Sequence, residues 1–272
     1  MADQPAASRI PEEQGDRRLG TDLHESPMTL GSVRGRLRPI LELTATILMI
    51  TVSVIFLGLF VHGLLSARGS APSQKPADEP LPRVPVSLKG ATTKGKASAP
   101  LAIIEYSEFQ CPFCGRFSRD TLPTVMKDFV DTGRALLAFR HFPLEAIHSF
   151  ALGAATAAEC AGQQARFWPM HDLLFSDQKA LDEPSLLRRA GILGLDLNRF
   201  RECRGDKADE RIRADLLSGR ELGITGTPTF LIGTVDGERV NVGARLRGAV
   251  PISRFEEALE SIQKGSAQQK GR

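Results

Sequence analysis

An unbroken apolar stretch at residues 43–65 limits more than any other feature what this chain can become. It is made of Leu, Ile, Val, Phe, Met and small residues, with His62 as its one ionisable interruption. A helix needs about 20 apolar residues to cross roughly 30 Å of hydrocarbon, whereas the core of a cleavable leader needs only about 7–15. The apolar residues show no one-sided period, which argues against a buried core helix. A single transmembrane helix over 40–65 is the expectation. Arg34, Arg36 and Arg38 precede the stretch and only Arg68 closely follows it, so the basic bias puts the tail 1–39 in the cytoplasm and the rest outside. The small-residue stretch Gly69-Ser70-Ala71 keeps a second reading open, a cleaved leader and a periplasmic or secreted domain.

The chain has 272 residues, of which 42% are apolar, enough for a sizeable core. Its 35 basic and 32 acidic residues leave a net charge of +3, with no long basic run interleaved with aromatics, so nucleic acid is not suggested as a partner. The tail 1–39 mixes Pro, Gly and charge without periodicity and reads as disordered. Residues 66–85, rich in Pro, Ser, Ala and charge, read as a semi-extended linker.

The globular part is expected over 86–263. Residues 101–107 form an apolar run that reads as a buried strand interrupted by Glu105. Residues 111–130 carry Phe117, Leu122, Val125 and Phe129 at helical spacing, with Pro112 in a first-turn position where its missing N–H costs nothing. A second strand follows over 134–142, giving a βαβ unit. Residues 148–223 read as a helical insertion. A hairpin over 229–233 and 239–242 and an amphipathic helix over 251–262 close the domain, and 264–272 read as a frayed polar end.

Four cysteines are present, two of them in Cys111-Pro112-Phe113-Cys114. Two cysteines at this spacing on a helix start bring both sulfurs to one face. The first sulfur then meets unpaired backbone N–H groups and the positive end of the helix dipole. Cys111 should ionise readily and act as the nucleophile, and Cys114, one turn deeper, should resolve the mixed disulfide. Half a zinc site is the competing reading, but neither Cys160 nor Cys203 has a neighbouring ligand at the right spacing, so no metal is expected. A strand running into a C-x-x-C that opens a helix inside a βαβ unit favours redox chemistry, with the Cys111–Cys114 pair itself in place of a cofactor.

The segment Glu105-Tyr106-Ser107-Glu108-Phe109-Gln110-Cys111-Pro112-Phe113-Cys114 resembles the active-site segment of the DsbA-like thioredoxin family. The stretches at 139–144, 157–161, 167–172 and 226–230 resemble that family in the same order. The resemblance implies an α/β thioredoxin-like fold with an inserted helical subdomain and an extracytoplasmic thiol-disulfide oxidoreductase. It implies a cis bond between Thr227 and Pro228 facing the cysteines, where Thr227 would offer its backbone to an extended client chain. An ordinary trans proline starting a strand is the plain alternative. Glu105 stands at the family's buried acid beneath the disulfide, able to shuttle the proton of Cys114; a solvent-facing edge residue is the other reading. Glu108 stands where the family often has Asp, and it receives no catalytic role.

Phe113 neither donates nor carries charge, so Cys111 should be less acidic than beside a histidine, and the redox direction stays open. In an oxidising compartment Cys160 and Cys203 are expected to pair as a structural bridge, the alternatives being two buried thiols or a second relay. His141, His148, His171 and the sole tryptophan, Trp168, read as packing or hydrogen-bonded residues. The expected partners are unfolded or partly folded exported proteins and a membrane redox protein that resets the cysteines, with Pro112, Phe113, Thr227 and Pro228 touching the client. Oxidase or isomerase work is favoured over a tethered reductase for one client or a chaperone-like binding module.

Overall fold

The structure is a computed structural model and describes residues 34–67, 81–204 and 206–270. The tail 1–33, the linker residues 68–80 with Arg68 and Gly69-Ser70-Ala71, and the end 271–272 lie outside the described residues. Two units emerge, residues 1–75 and 76–272.

Among the described residues, the first unit contains one helix, α1 (Arg34–Ala67). Its central 21 residues, Glu42–His62, are long and apolar enough to cross a membrane, and their side chains are exposed. At about 1.5 Å per residue they span roughly the 30 Å of a hydrocarbon core.

The second unit is a six-stranded sheet covered by helices, with strand order β1 (Val86–Ser87), β6 (Arg239–Arg247), β5 (Thr229–Asp236), β3 (Leu101–Ser107), β4 (Ala135–His141), β2 (Thr92–Lys94). Only β3 and β4 run parallel, because the helices between them carry the chain back across the sheet. Both are buried at every position and sit in the middle of the sheet, which is why they read as continuous apolar runs rather than alternating ones. Alternate residues of β3 face opposite layers. Leu101 and Ile103 join Phe117, Phe129, Phe230 and Phe255 on one side. Ala102, Ile104 and Tyr106 join Leu136, Phe142 and Leu231 on the other.

The connection from β3 to β4 is broken where the sequence spacing suggests one helix. α2 (Pro112–Asp120) stops at Thr121, and α3 (Leu122–Val125) restarts and runs into a π-helical turn at Met126–Val130. Pro123 is the cause: it offers no N–H to the turn before it, and its ring crowds the carbonyl four residues back.

Five helices form the insertion: α4 (Ala151–Gly162), α5 (Phe167–Ser176), α6 (Glu183–Ile192), α7 (Leu197–Cys203) and α8 (Asp206–Glu221). Asp182 and Asp196 cap α6 and α7, each accepting from backbone N–H groups of the following turn. Cys160 of α4 is bonded to Cys203 at the end of α7. α8 is pinned to β4 by Asp215, which accepts from Arg140 Nη1 at 2.6 Å, from Arg211 Nη2 at 3.1 Å and from the His141 N–H at 3.0 Å. α5 is tied to the edge strand β2, where Trp168 Nε1 donates to the Thr93 carbonyl at 3.1 Å and Lys94 Nζ sits 5.1 Å from the indole centre.

The closing hairpin is longer than the sequence pattern indicates, since β5 and β6 pair from Thr229 to Asp236 around a two-residue turn, with Gly237 at φ +59°. The C-terminal end also differs from the frayed tail expected over 264–272: α9 (Ile252–Lys270) continues through it. Gln, Lys and Ala sustain a helix well enough to carry it past Gly265.

Candidate active site

Cys111 is the N-cap residue of α2, in extended conformation at φ −65° and ψ 122°, and Pro112 takes the first helical position. The Cys111 carbonyl already accepts the first helical bond, from the Gly115 N–H at 3.1 Å. Both cysteines are free thiols. Cys111 is 4% exposed and Cys114 fully buried, so only the first sulfur has a route to another chain.

The Thr227–Pro228 bond is cis and lies against the first cysteine, whose thiol donates to the Thr227 carbonyl across 3.4 Å. Thr227 Oγ1 is buried without a hydrogen-bond partner, which leaves its proton free to meet a thiolate at Cys111. Pro228 is buried at the head of β5, and its carbonyl is held by the Gly248 N–H at 2.7 Å.

The electrostatics separate the two sulfurs. The Cys111 thiol is pulled down to about 5, first by the hydrogen bond that the Cys114 thiol gives it, against the cost of burial, and further by Thr227 and by the N–H groups of Cys114 and Phe113. Burial pushes the Cys114 thiol well up, and the neighbouring Cys111 adds to the rise. Glu105, on the face of β3 toward α2, is 1% exposed and has strands on both sides, which excludes the edge reading. Burial raises its carboxyl to about 8, and the Ser107 hydroxyl moderates this shift as well as that of Cys114. Ser107 therefore links the two groups electrostatically, although Glu105 Oε2 and Ser107 Oγ make no hydrogen bond of ordinary geometry.

Around the rim, Phe113 is 53% exposed, and Ile147 and Phe150 are exposed on the loop whose Phe150 N–H donates to Gln110 Oε1 at 2.7 Å. These three apolar side chains flank the segment that carries Cys111.

Two polar partnerships next to this segment are not visible in the sequence, the pairing of Glu108 with His148 and the contacts of Gln178. Glu108 is fully buried, accepts from the Gln110 N–H at 2.7 Å, and is paired with His148 Nδ1. Burial raises its carboxyl, and the charge of Cys111 adds to the rise. Gln178, in the loop after α5, donates from Nε2 to the carbonyls of Phe109 and Cys111, each at 2.8 Å. The polar residue Glu108 between a buried strand and the cysteines was a legible hint. Gln178 is one of four loop glutamines among the described residues and carries no local signal. Phe109 itself packs among Phe139, Phe175, His141 and His171, so the segment is anchored from below by aromatic contact.

The family model described as thioredoxin matches residues 87–250, more than half of the chain. Among solved structures, alpha-DsbA1 of Wolbachia pipientis is similar with a TM-score of 0.59 and 27% identity, over 69% of this chain and 97% of that one. Oxidised BdbD of Bacillus subtilis shares the fold at a TM-score of 0.55 and 22% identity, over 66% of this chain and 98% of its own. Of the curated relatives, the Na(+)/H(+) antiporter NhaA 3 of Salinispora tropica is 40% identical over 150 residues, or 55% of this chain. The NhaA 1 antiporter of Salinispora arenicola is 36% identical over 184 residues, or 67%. The chain spans only about a quarter of the length of these two antiporters, 22% and 26%.

Proposed function

This chain belongs to the thioredoxin family in its DsbA-like form and is a thiol-disulfide oxidoreductase, and from that premise we propose that it donates a Cys111–Cys114 disulfide to exported proteins outside the membrane. The observation that carries the reading is the asymmetry of the pair: Cys111 caps a helix against the Thr227 carbonyl, while Cys114 is sealed beneath it.

In the oxidised enzyme a client thiolate attacks Cys111 Sγ, and the bond to Cys114 breaks. Cys114 leaves as a thiolate with a high proton affinity and takes the proton of Glu105, which is still protonated at neutral pH because its pKa is about 8. A second client thiolate then attacks the client sulfur of the mixed disulfide. Cys111 departs as a thiolate, a good leaving group with a pKa of about 5. Two client thiols become a disulfide and the enzyme becomes a dithiol. The Thr227 backbone, with Pro112, Phe113 and Pro228, holds the client in an extended form. A membrane redox partner restores the enzyme's disulfide.

A first-cysteine value of about 5 lies between roughly 3.5 for a strong oxidant and about 7 for thioredoxin. A stabilised thiolate favours the reduced enzyme, hence disulfide donation. Arg34, Arg36 and Arg38 before the α1 span support a cytoplasmic N-terminus and an outward catalytic domain. The related stretch within proteins named as Na(+)/H(+) antiporters also supports work at a membrane.

Two measurements test this. A Cys114→Ala variant should accumulate mixed disulfides with exported proteins, and finding none would count against donation to clients. Equilibration with glutathione should give a potential well above that of thioredoxin, about −270 mV; a value near that one would assign the reductase role instead.

A further inference from the structure

We infer that Gln178 is a positioning residue for Cys111: it fixes the backbone on either side of the nucleophile, and Gly115 is glycine to make room for it. This rests on the redox reading of Cys111 and Cys114 given above.

Gln178 Nε2 donates both its hydrogens, to the Phe109 carbonyl and to the Cys111 carbonyl, each at 2.8 Å. The two acceptors lie on the turn that delivers the chain from β3 into α2. A single amide thus spans the residue before and the residue after Gln110, and it sets how the Cys111 side chain leaves the helix end. The same amide occupies the space over Gly115. A Cβ built there would stand 2.0 Å from Gln178 Oε1 and 2.6 Å from its Cδ. A glycine inside a helix ordinarily lowers stability relative to alanine, so an open position filled by a distant side chain needs a reason. Gln178 supplies it.

The loop bearing Gln178 is itself held. Arg189 of α6, buried at 7% exposure, donates from Nη2 to the Asp177 carbonyl at 2.8 Å and from Nη1 to the Ala180 carbonyl. The helical insertion therefore reaches the nucleophile through a chain of fixed bonds: α6 to the loop, the loop to Gln178, and Gln178 to the backbone around Cys111. Thiolate stabilisation at Cys111 depends on aiming its sulfur at the Cys114 thiol, Thr227 and the first N–H groups of α2. Losing the clamp should let the turn relax and weaken those bonds.

The test is a cycle of Gln178→Met, Gly115→Ala and the double variant in the full chain. Met keeps the length and packing of the side chain and removes the donor. Each protein is read for the pH midpoint of Cys111 alkylation, for its equilibrium with glutathione (enzyme disulfide plus two glutathione thiols giving enzyme dithiol plus glutathione disulfide), and for its thermal midpoint. Gln178→Met should raise the Cys111 midpoint and shift the equilibrium toward the enzyme disulfide by about tenfold, or roughly 30 mV. Gly115→Ala should do the same by expelling the glutamine, and the double variant should equal either single one. A midpoint and an equilibrium within twofold of the parent in folded Gln178→Met would overturn the proposal, as would effects of the two substitutions that add. Were the parent itself to show no ionisable, glutathione-reactive Cys111, the redox reading would fall, an outcome separate from either of these.

Discussion

Glu105 and Cys111 load the folded state in opposite directions as pH changes. Glu105 is raised from 4.5 to about 8, so its contribution to stability is fully present below pH 4.5 and is lost as pH rises through about 8. Cys111 is lowered from 9.0 to about 5, so its contribution is present above 9.0 and is lost as pH falls through about 5. Only the reduced protein has both. Denaturant unfolding of the oxidised protein should therefore show stability falling between about pH 5 and 8, by up to about 1.4 kcal/mol per pH unit. Glu105→Gln should remove most of that slope and slow disulfide transfer by limiting proton supply to Cys114. In the reduced parent the two slopes should largely cancel. An oxidised Glu105→Gln protein that keeps the parental slope would show that another buried acid sets it, Glu108 being one that burial also raises.

The elements differ in what secures them. α4 and α7 are joined by the Cys160–Cys203 bridge, which closes a loop of 43 residues. Loop-closure entropy of that size corresponds to about 4 kcal/mol. Replacing both residues by alanine should lower the unfolding free energy by about 2–4 kcal/mol in urea titrations while leaving the Cys111 alkylation midpoint in place. Loss of the midpoint as well would mean that the insertion does not fold without its bridge. The long elements are legible in the sequence: β3 and β4 as apolar runs, α2 from Pro112 and the cysteine pair, and the helices of the insertion as one helical stretch over 148–223. The three-residue β2 and two-residue β1 were not, because their residues are mixed and they exist only by pairing with strands far along the chain. α7 lies inside the helical insertion expected over 148–223, but at seven residues it is too short for a local period to mark its ends, and the hairpin extends beyond its expected strands because Gly233 and Gly243 interrupt the pattern. At the site, Cys111, Cys114 and Glu105 stand within one contiguous segment and could be read directly. Gln178, His148 and Asp215 act across long stretches of chain, and no local spacing announces such partners.

At the scale of the whole molecule, the apolar helix and the catalytic domain make separate demands. The full chain should sediment with membranes and resist extraction by carbonate, and a chain lacking residues 34–67 should stay in solution with its Cys111 reactivity intact. Added protease should cut the domain only from the outer side, and cleavage from the cytoplasmic side alone would reverse the proposed orientation. Within the domain, the contact that ties α5 to β2 has a further use. Trp168 is the only tryptophan in the chain, and its ring centre lies 5.1 Å from that of His171, which burial holds below the usual histidine range. Indole emission from this protein is thus a single-site signal from the seam between sheet edge and helical insertion. A protonated imidazole quenches indole light, so brightness should hold steady through neutral pH and drop only in acid, below the range in which an ordinary histidine titrates. The same emission should redden when the seam opens, which gives a label-free readout of insertion unfolding independent of the cysteines.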